Sequence, residues 1–169
     1  LAPAFKEKSL ADCVACHSKH LITHTSDEWK GDKPGATCRK CHEDGEDGSE
    51  LALYFTDTFG SVRQSFEEIE ELLTEAEVKG MDITEGEDYV EAARQGLMQA
   101  RTLVHSFSKP VMEEKVTEIA ENQAAALEVG YAALRALDDR RRGLAISSLL
   151  LLLLTLLVAI KIRTLPPID

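Results

Sequence analysis

Apolar residues recur at steps of three and four through the middle of the chain, and this spacing predicts three amphipathic helices. The first apolar stripe begins near Tyr54 and consists of Phe55, Phe59, Val62, Phe66, Ile69, Leu73 and Ala76. The second consists of Val90, Ala93, Leu97, Ala100, Val104 and Phe107, and the third of Val116, Ile119, Gln123, Ala126, Gly130, Leu134 and Leu137. Because each stripe gives its helix one apolar face, we expect the three helices to pack against one another.

Turn and capping residues separate the three stripes. Gly80 is expected to end the first helix, and Thr84 with Glu87 fits a capping box that begins the second. Ser108 is a candidate N-cap for the third. The short connections predict an all-α fold, with an antiparallel up-down-up bundle over residues 51–142. An intermolecular coiled coil is the alternative for the same pattern.

The stretch from Gly143 to Ile160, GLAISSLLLLLLTLLVAI, contains no charged residue, and basic residues flank it on both sides. At 1.5 Å per residue its helix is about 27 Å long, which is enough to cross the hydrocarbon core of a bilayer. A buried core helix is the alternative, but the chain has nothing that could surround six consecutive leucines. We therefore expect the third helix to continue into a single transmembrane helix over residues 143–163, followed by a short tail, 164–169.

The net charge of −11 is concentrated in the predicted bundle, where residues 51–142 carry 10 basic and 19 acidic side chains. Nucleic acid is an unfavourable partner for such a surface, because its phosphates would be repelled. A basic soluble carrier would instead be attracted to it, and that attraction would weaken as salt is added.

All four cysteines lie in two Cys-x-x-Cys-His motifs near the start of the chain: Cys13, Cys16 and His17, then Cys38, Cys41 and His42. Two cysteines three residues apart on a helical turn point the same way, so they can form thioethers to the two vinyl groups of one haem. The histidine that follows can then bind the iron. This spacing predicts two covalently bound haem c groups.

Zinc and disulfides are the other uses for two Cys-x-x-Cys pairs. The twenty-one residues between the pairs are close to a zinc-ribbon spacing, and an exported chain can form two disulfides. Neither alternative needs a histidine directly after each pair, so the residues favour haem.

The stretch CVACHSKHLITHTSDEWKGDKPGATCRKCHED resembles the doubled Cys-x-x-Cys-His unit of multi-haem c-type cytochromes, including the further histidine at His20. The resemblance covers about residues 11–44 and implies covalent haem, export before maturation, and electron transfer. It also implies that the N-terminal head, residues 1–50, lies on the periplasmic or equivalent side of the membrane. The membrane-anchored quinol oxidisers that resemble it have an N-terminal anchor and four or more haems, so the resemblance does not extend to quinol chemistry.

Three histidines remain for the sixth position on each iron: His20, His24 and His105. His20 faces away from the first haem if its helix continues, so it can bind the second, as the family unit suggests. His24 lies in a looser stretch and can reach either iron. His105 is distant in sequence, but the return of the second helix places it near the head, one residue off the apolar stripe. A solvated histidine at a helix end is the alternative interpretation of His105.

Methionine is the other candidate for a sixth ligand, but we interpret Met98 and Met112 as packing residues. Two histidines on each iron imply low reduction potentials and leave no open position for a substrate. The expected activity is therefore outer-sphere electron transfer rather than enzymatic catalysis.

The sequence thus predicts a membrane-anchored dihaem cytochrome that relays electrons, as one subunit of a larger respiratory or photosynthetic complex. Its partners would be other redox subunits or a soluble electron carrier, and a homo-oligomer is compatible with the bundle. The third helix would raise the head about 50 Å above the bilayer. The alternatives are a haem enzyme with one open axial site, a haem sensor, and a zinc-binding or structural membrane tether.

Overall fold

The computed structural model describes residues 13–17, 26–31, 33 and 35–164, and these residues contain helices and turns but no strand. This confirms the all-α expectation. The α-helices are α1 (Cys13–His17), α2 (Asp47–Val78), α3 (Thr84–Leu103) and α4 (Lys109–Thr164), and single 3₁₀ turns span Asp27–Lys30, Cys38–Lys40 and Val104–Ser106. Three of the helices are long, as the apolar pattern predicted.

The predicted apolar stripes form the core between α2, α3 and α4. The whole stripe of α2 is buried, and Ile69 at its centre has no exposed surface. Small residues bring the helices close together. At Gly96 of α3, an added Cβ would lie 2.8 Å from Cγ1 of Ile119 on α4. At Gly130 of α4, it would lie 2.7 Å from the side chain of Leu72.

Contacts along the helices show their directions. The buried Gln123 of α4 donates a 3.0 Å hydrogen bond to the Val62 carbonyl of α2. About two to three turns later in both helices, Gly130 meets Leu72, so α2 and α4 run the same way. Helix α3 runs in the opposite direction, because Gly86 meets Val129 whereas Gly96, further along α3, meets the earlier Ile119.

The turn between α2 and α3 begins at Gly80, as expected. Gly80 has a φ of +78°, its N–H donates to the Glu77 carbonyl, and the N–H of Met81 donates to the Ala76 carbonyl. This pair of bonds is a Schellman motif, whose left-handed position favours glycine. The predicted capping box is not formed. Instead the carboxylate of Asp82 accepts hydrogen bonds from the backbone N–H and the hydroxyl of Thr84.

The end of α3 departs from the predicted stripe. Val104 is half-buried, but Phe107 is 49 % exposed instead of lying in the core. The reason is that α3 ends at Leu103 and a tighter 3₁₀ turn follows, which rotates the next residues away from the core. Phe107 itself has a φ of +50° and reverses the chain toward α4.

Helix α4 continues far beyond the core. Its last buried residue is Ala133, and from Gly143 onward every described side chain is exposed, including the whole leucine run. Among the described residues, α4 is the one helix long and apolar enough to cross a membrane.

Candidate haem-attachment site

The first Cys-x-x-Cys-His motif forms α1, a helix of five residues from Cys13 to His17. Residues three apart on a helix lie on the same face, so the side chains of Cys13 and Cys16 leave α1 on one side. Both cysteines are exposed. The motif therefore presents two neighbouring, accessible sulfurs, with the imidazole of His17 directly after them.

The second motif is also wound into a helical turn. Cys38–Lys40 is a 3₁₀ turn, and the N–H groups of Cys41 and His42 both donate to the Cys38 carbonyl, at 3.2 and 3.1 Å. Cys41 is exposed and Cys38 is half-buried. Although the two motifs differ in sequence between the cysteines, both are wound into a helical turn.

The imidazole of His42 is held by the first turn of α2. Its ring lies against Gly48, where an added Cβ would overlap the imidazole atoms. Its Nδ1 is 3.2 Å from Oε2 of Glu46. Because an ionised carboxylate can only accept, Nδ1 carries the proton in this pair and Nε2 retains its lone pair for a metal.

The imidazole of His17 lies in a small group of rings. The centre of the Trp29 ring is 4.9 Å from it, and the centre of the His105 ring is 6.1 Å from it, with the two imidazole planes at 21°. Trp29 belongs to the 3₁₀ turn Asp27–Lys30, and His105 to the 3₁₀ turn after α3. Three segments that are distant in sequence thus meet at the first motif.

His105 also has one ring nitrogen occupied. Its Nδ1 is 3.0 Å from the backbone carbonyl oxygen of Thr102, which can only accept, so Nδ1 is the donor. Nε2 is then the nitrogen with the free lone pair. The other two histidines proposed as sixth ligands, His20 and His24, lie outside the described residues.

An ion pair joins the head to α3 next to this group. Arg101 donates from Nε to Oδ1 of Asp27 at 3.1 Å and from Nη2 to Oδ2 at 2.8 Å. This is the bidentate geometry of the stronger arginine–carboxylate pairs, and the Asp27 side chain is only 10 % exposed. Arg101 lies one helical turn before His105, so the pair fixes the turn that carries Trp29 beside the end of α3.

The residue types in both motifs are those that haem c attachment requires. Haem c needs two cysteines three residues apart and an imidazole directly after them, and both motifs supply these residues. A structural zinc ion needs about four ligands gathered around one point. No three Cys, His, Asp or Glu side chains are gathered in this way within residues 13–17, 26–31, 33 and 35–164.

The two methionines considered as ligands differ in environment. Met112 is fully buried in the core, as the packing interpretation requires. Met98 is 57 % exposed, so that interpretation is wrong for this residue. Met98 lines a groove between α2 and α3. The groove exists because these two helices pack less closely against each other than either packs against α4.

Several residues of the site were not recognised from the sequence. The role of Glu46 could have been predicted from its position four residues after His42, because a nearby carboxylate is a common hydrogen-bond partner of a ligating histidine. Gly48, Trp29 and the pair of Asp27 with Arg101 have no local signal, because their roles depend on segments that meet only in the folded chain.

No protein-family model matches this chain, and the comparisons with curated proteins and with solved structures also give no match. Any statement about function therefore depends on the residues and on their geometry.

Proposed function

We propose that the protein is a membrane-anchored dihaem c-type cytochrome that relays electrons by outer-sphere transfer. The observation that supports this most is that both Cys-x-x-Cys-His motifs are helical turns, in which Cys13, Cys16 and Cys41 are exposed. Covalent attachment at two sites uses all four cysteines of the chain.

Each motif has a defined role in this proposal. The two cysteine sulfurs of each motif would hold one porphyrin, and His17 and His42 would each bind the iron of the haem attached to its own motif. The hydrogen bond from His42 to Glu46 fixes the tautomer and makes Nε2 a stronger electron donor, which favours the oxidised state. Haem c, when bound, supplies an iron that gains and loses one electron.

The long helix α4 would set the distance between the head and the membrane. About 34 residues separate Lys109 from Gly143, which corresponds to about 50 Å of helix. The ion pair of Arg101 with Asp27 places the described part of the head near the start of α4 rather than near Gly143. Electrons would then reach the head from a partner that extends to the same height, and not directly from the bilayer.

The resemblance to multi-haem c-type cytochromes implies that the head lies outside the cytoplasm, because c-type haem is attached after export. The acidic bundle favours a basic soluble carrier or a redox subunit with a basic surface. We expect the rate of electron exchange with a small basic cytochrome to fall as salt is added, and a rate that does not change with salt would exclude this docking mode.

The experiment is expression of the full chain with an export signal, in a host that matures c-type cytochromes. Intact mass spectrometry and a pyridine haemochrome spectrum should show two covalent haems per chain. The variants Cys13→Ala/Cys16→Ala and Cys38→Ala/Cys41→Ala should each retain one. A chain that leaves this host without haem, or with bound zinc, would reject the proposal. Carbon monoxide binding by the reduced wild-type protein would support the alternative of an enzyme with an open axial site.

A further inference from the structure

We infer that His17 and His105 bind the same iron, that of the haem attached to Cys13 and Cys16. This inference depends on the proposed function, because it assigns the second axial ligand of one of the two haems. It also gives the bundle a direct role in the redox site, since His105 belongs to the turn between α3 and α4.

The distance between the two imidazoles supports the assignment. An imidazole nitrogen binds a transition metal at about 2.0–2.1 Å, and the ring centre lies about 1 Å behind it, so two histidines on opposite sides of one metal have ring centres about 6 Å apart. The ring centres of His17 and His105 are 6.1 Å apart. Their planes differ by 21°, so the two rings are nearly parallel.

The tautomer of His105 provides a second, independent argument. The Thr102 carbonyl holds the proton on Nδ1 and leaves Nε2 with its lone pair. A backbone carbonyl that fixes a ligating histidine in this way is a common arrangement in metal sites. His105 is also exposed, so core packing does not explain its position.

The turn that carries His105 is held firmly on both sides. On the N-terminal side, Arg101 pairs with the nearly buried carboxylate of Asp27. On the C-terminal side, Phe107 has a positive φ, which is strained for a bulky residue and persists only where the surrounding fold enforces it. We therefore interpret Arg101 as a positioning residue for this ligand.

The test uses the full-length, haem-loaded protein and its two single-haem variants. In the Cys38→Ala/Cys41→Ala background, only the first haem remains. There, His105→Ala should convert that haem from low-spin and six-coordinate to high-spin and five-coordinate. Added imidazole should restore the low-spin state. In the Cys13→Ala/Cys16→Ala background, the same substitution should leave the spectrum unchanged.

The outcomes separate this inference from the proposed function. Absence of covalent haem from the wild-type protein would reject the function itself. Two covalent haems, with the first still low-spin after His105→Ala, would reject only the assignment of His105. If His105→Ala does not accumulate, His105→Met is the second variant. It should keep the first haem low-spin and raise its reduction potential, and an unchanged potential would overturn the assignment.

Discussion

Replacement of Gly96 by alanine tests whether α3 and α4 pack as closely as the structure shows. Gly96 lies in the middle of α3, and an added Cβ would be 2.8 Å from Cγ1 of the buried Ile119. Alanine is favoured over glycine inside a helix by about 1 kcal/mol. Overpacking against a β-branched side chain costs about 1–3 kcal/mol. We expect Gly96→Ala to lower the free energy of unfolding by up to about 2 kcal/mol.

A matched control separates the contact from helix propensity. Gly60 is also inside a long helix, α2, but an added Cβ there has no neighbour within 4 Å. Gly60→Ala should therefore raise the free energy of unfolding by up to about 1 kcal/mol. The difference between the two variants, about 1–3 kcal/mol, measures the contact alone.

A double-mutant cycle identifies the partner of Gly96. Ile119→Ala alone should cost about 2–5 kcal/mol, because Ile119 is 1 % exposed. In Gly96→Ala/Ile119→Ala the new methyl group enters the space that Ile119 leaves. The combined loss should therefore be smaller than the sum of the two single losses by about 1–3 kcal/mol.

The assay is urea unfolding of the full-length, haem-loaded protein at a fixed detergent concentration, followed by far-ultraviolet circular dichroism. If the losses caused by Gly96→Ala and Ile119→Ala add up to the loss of the double variant within about 0.5 kcal/mol, the reasoning is refuted, because residues in contact should show coupling. Stabilisation by Gly96→Ala equal to that by Gly60→Ala would refute it as well.

Three further predictions concern the site and the turns. Gly48→Ala should displace the His42 imidazole, because a Cβ at this position overlaps the ring. The visible spectrum and the potential of the second haem should change, and those of the first should not. An unchanged spectrum and potential of the second haem would contradict the contact between Gly48 and His42. Hydrogen bonds from the backbone and the hydroxyl of Thr84 lower the pKa of Asp82 below its ordinary value of 3.8. The ionised Asp82 carboxylate therefore stabilises the fold above about pH 4, and this stabilisation is lost as the pH falls through the lowered pKa. Asp82→Asn should remove this part of the acid dependence in urea titrations from pH 6 to pH 2, and curves parallel to wild type would contradict it. Arg101→Leu should shift the potential of the first haem, and Arg101→Lys should partly restore it. Arg94 lies on the same helix as Arg101, but its exposed ion pair is with Glu70 of α2, so Arg94→Leu should leave that potential unchanged.

The sequence was sufficient for the helices because their apolar spacing is a local property. The stripe from Phe55 to Ala76 is buried throughout, and Gly80 ends α2 as expected. Predictions at helix ends were less successful, since the N–H of Thr84 at the start of α3 donates to Asp82 instead of forming part of a capping box, and Phe107 leaves the core. Helix ends depend on a balance of weak local bonds, in which one residue of displacement changes which side chain can cap.

The Cys-x-x-Cys-His motifs could also be found without a structure, because attachment chemistry fixes the spacing of its residues within one turn. The surroundings of the motifs could not be found in this way. Trp29, Asp27 and Arg101 acquire their roles only where the head meets the end of α3.

By itself, the sequence determined what depends on neighbouring residues: the helical segments, the apolar run beginning at Gly143, and the two cysteine motifs. Only the tertiary structure decided which distant groups meet. His105 lies 88 positions after His17, and no local pattern encodes the 6.1 Å between their rings. That distance results from the packing of α3 against α4 and from the ion pair that joins the head to α3, and both exist only in the folded chain.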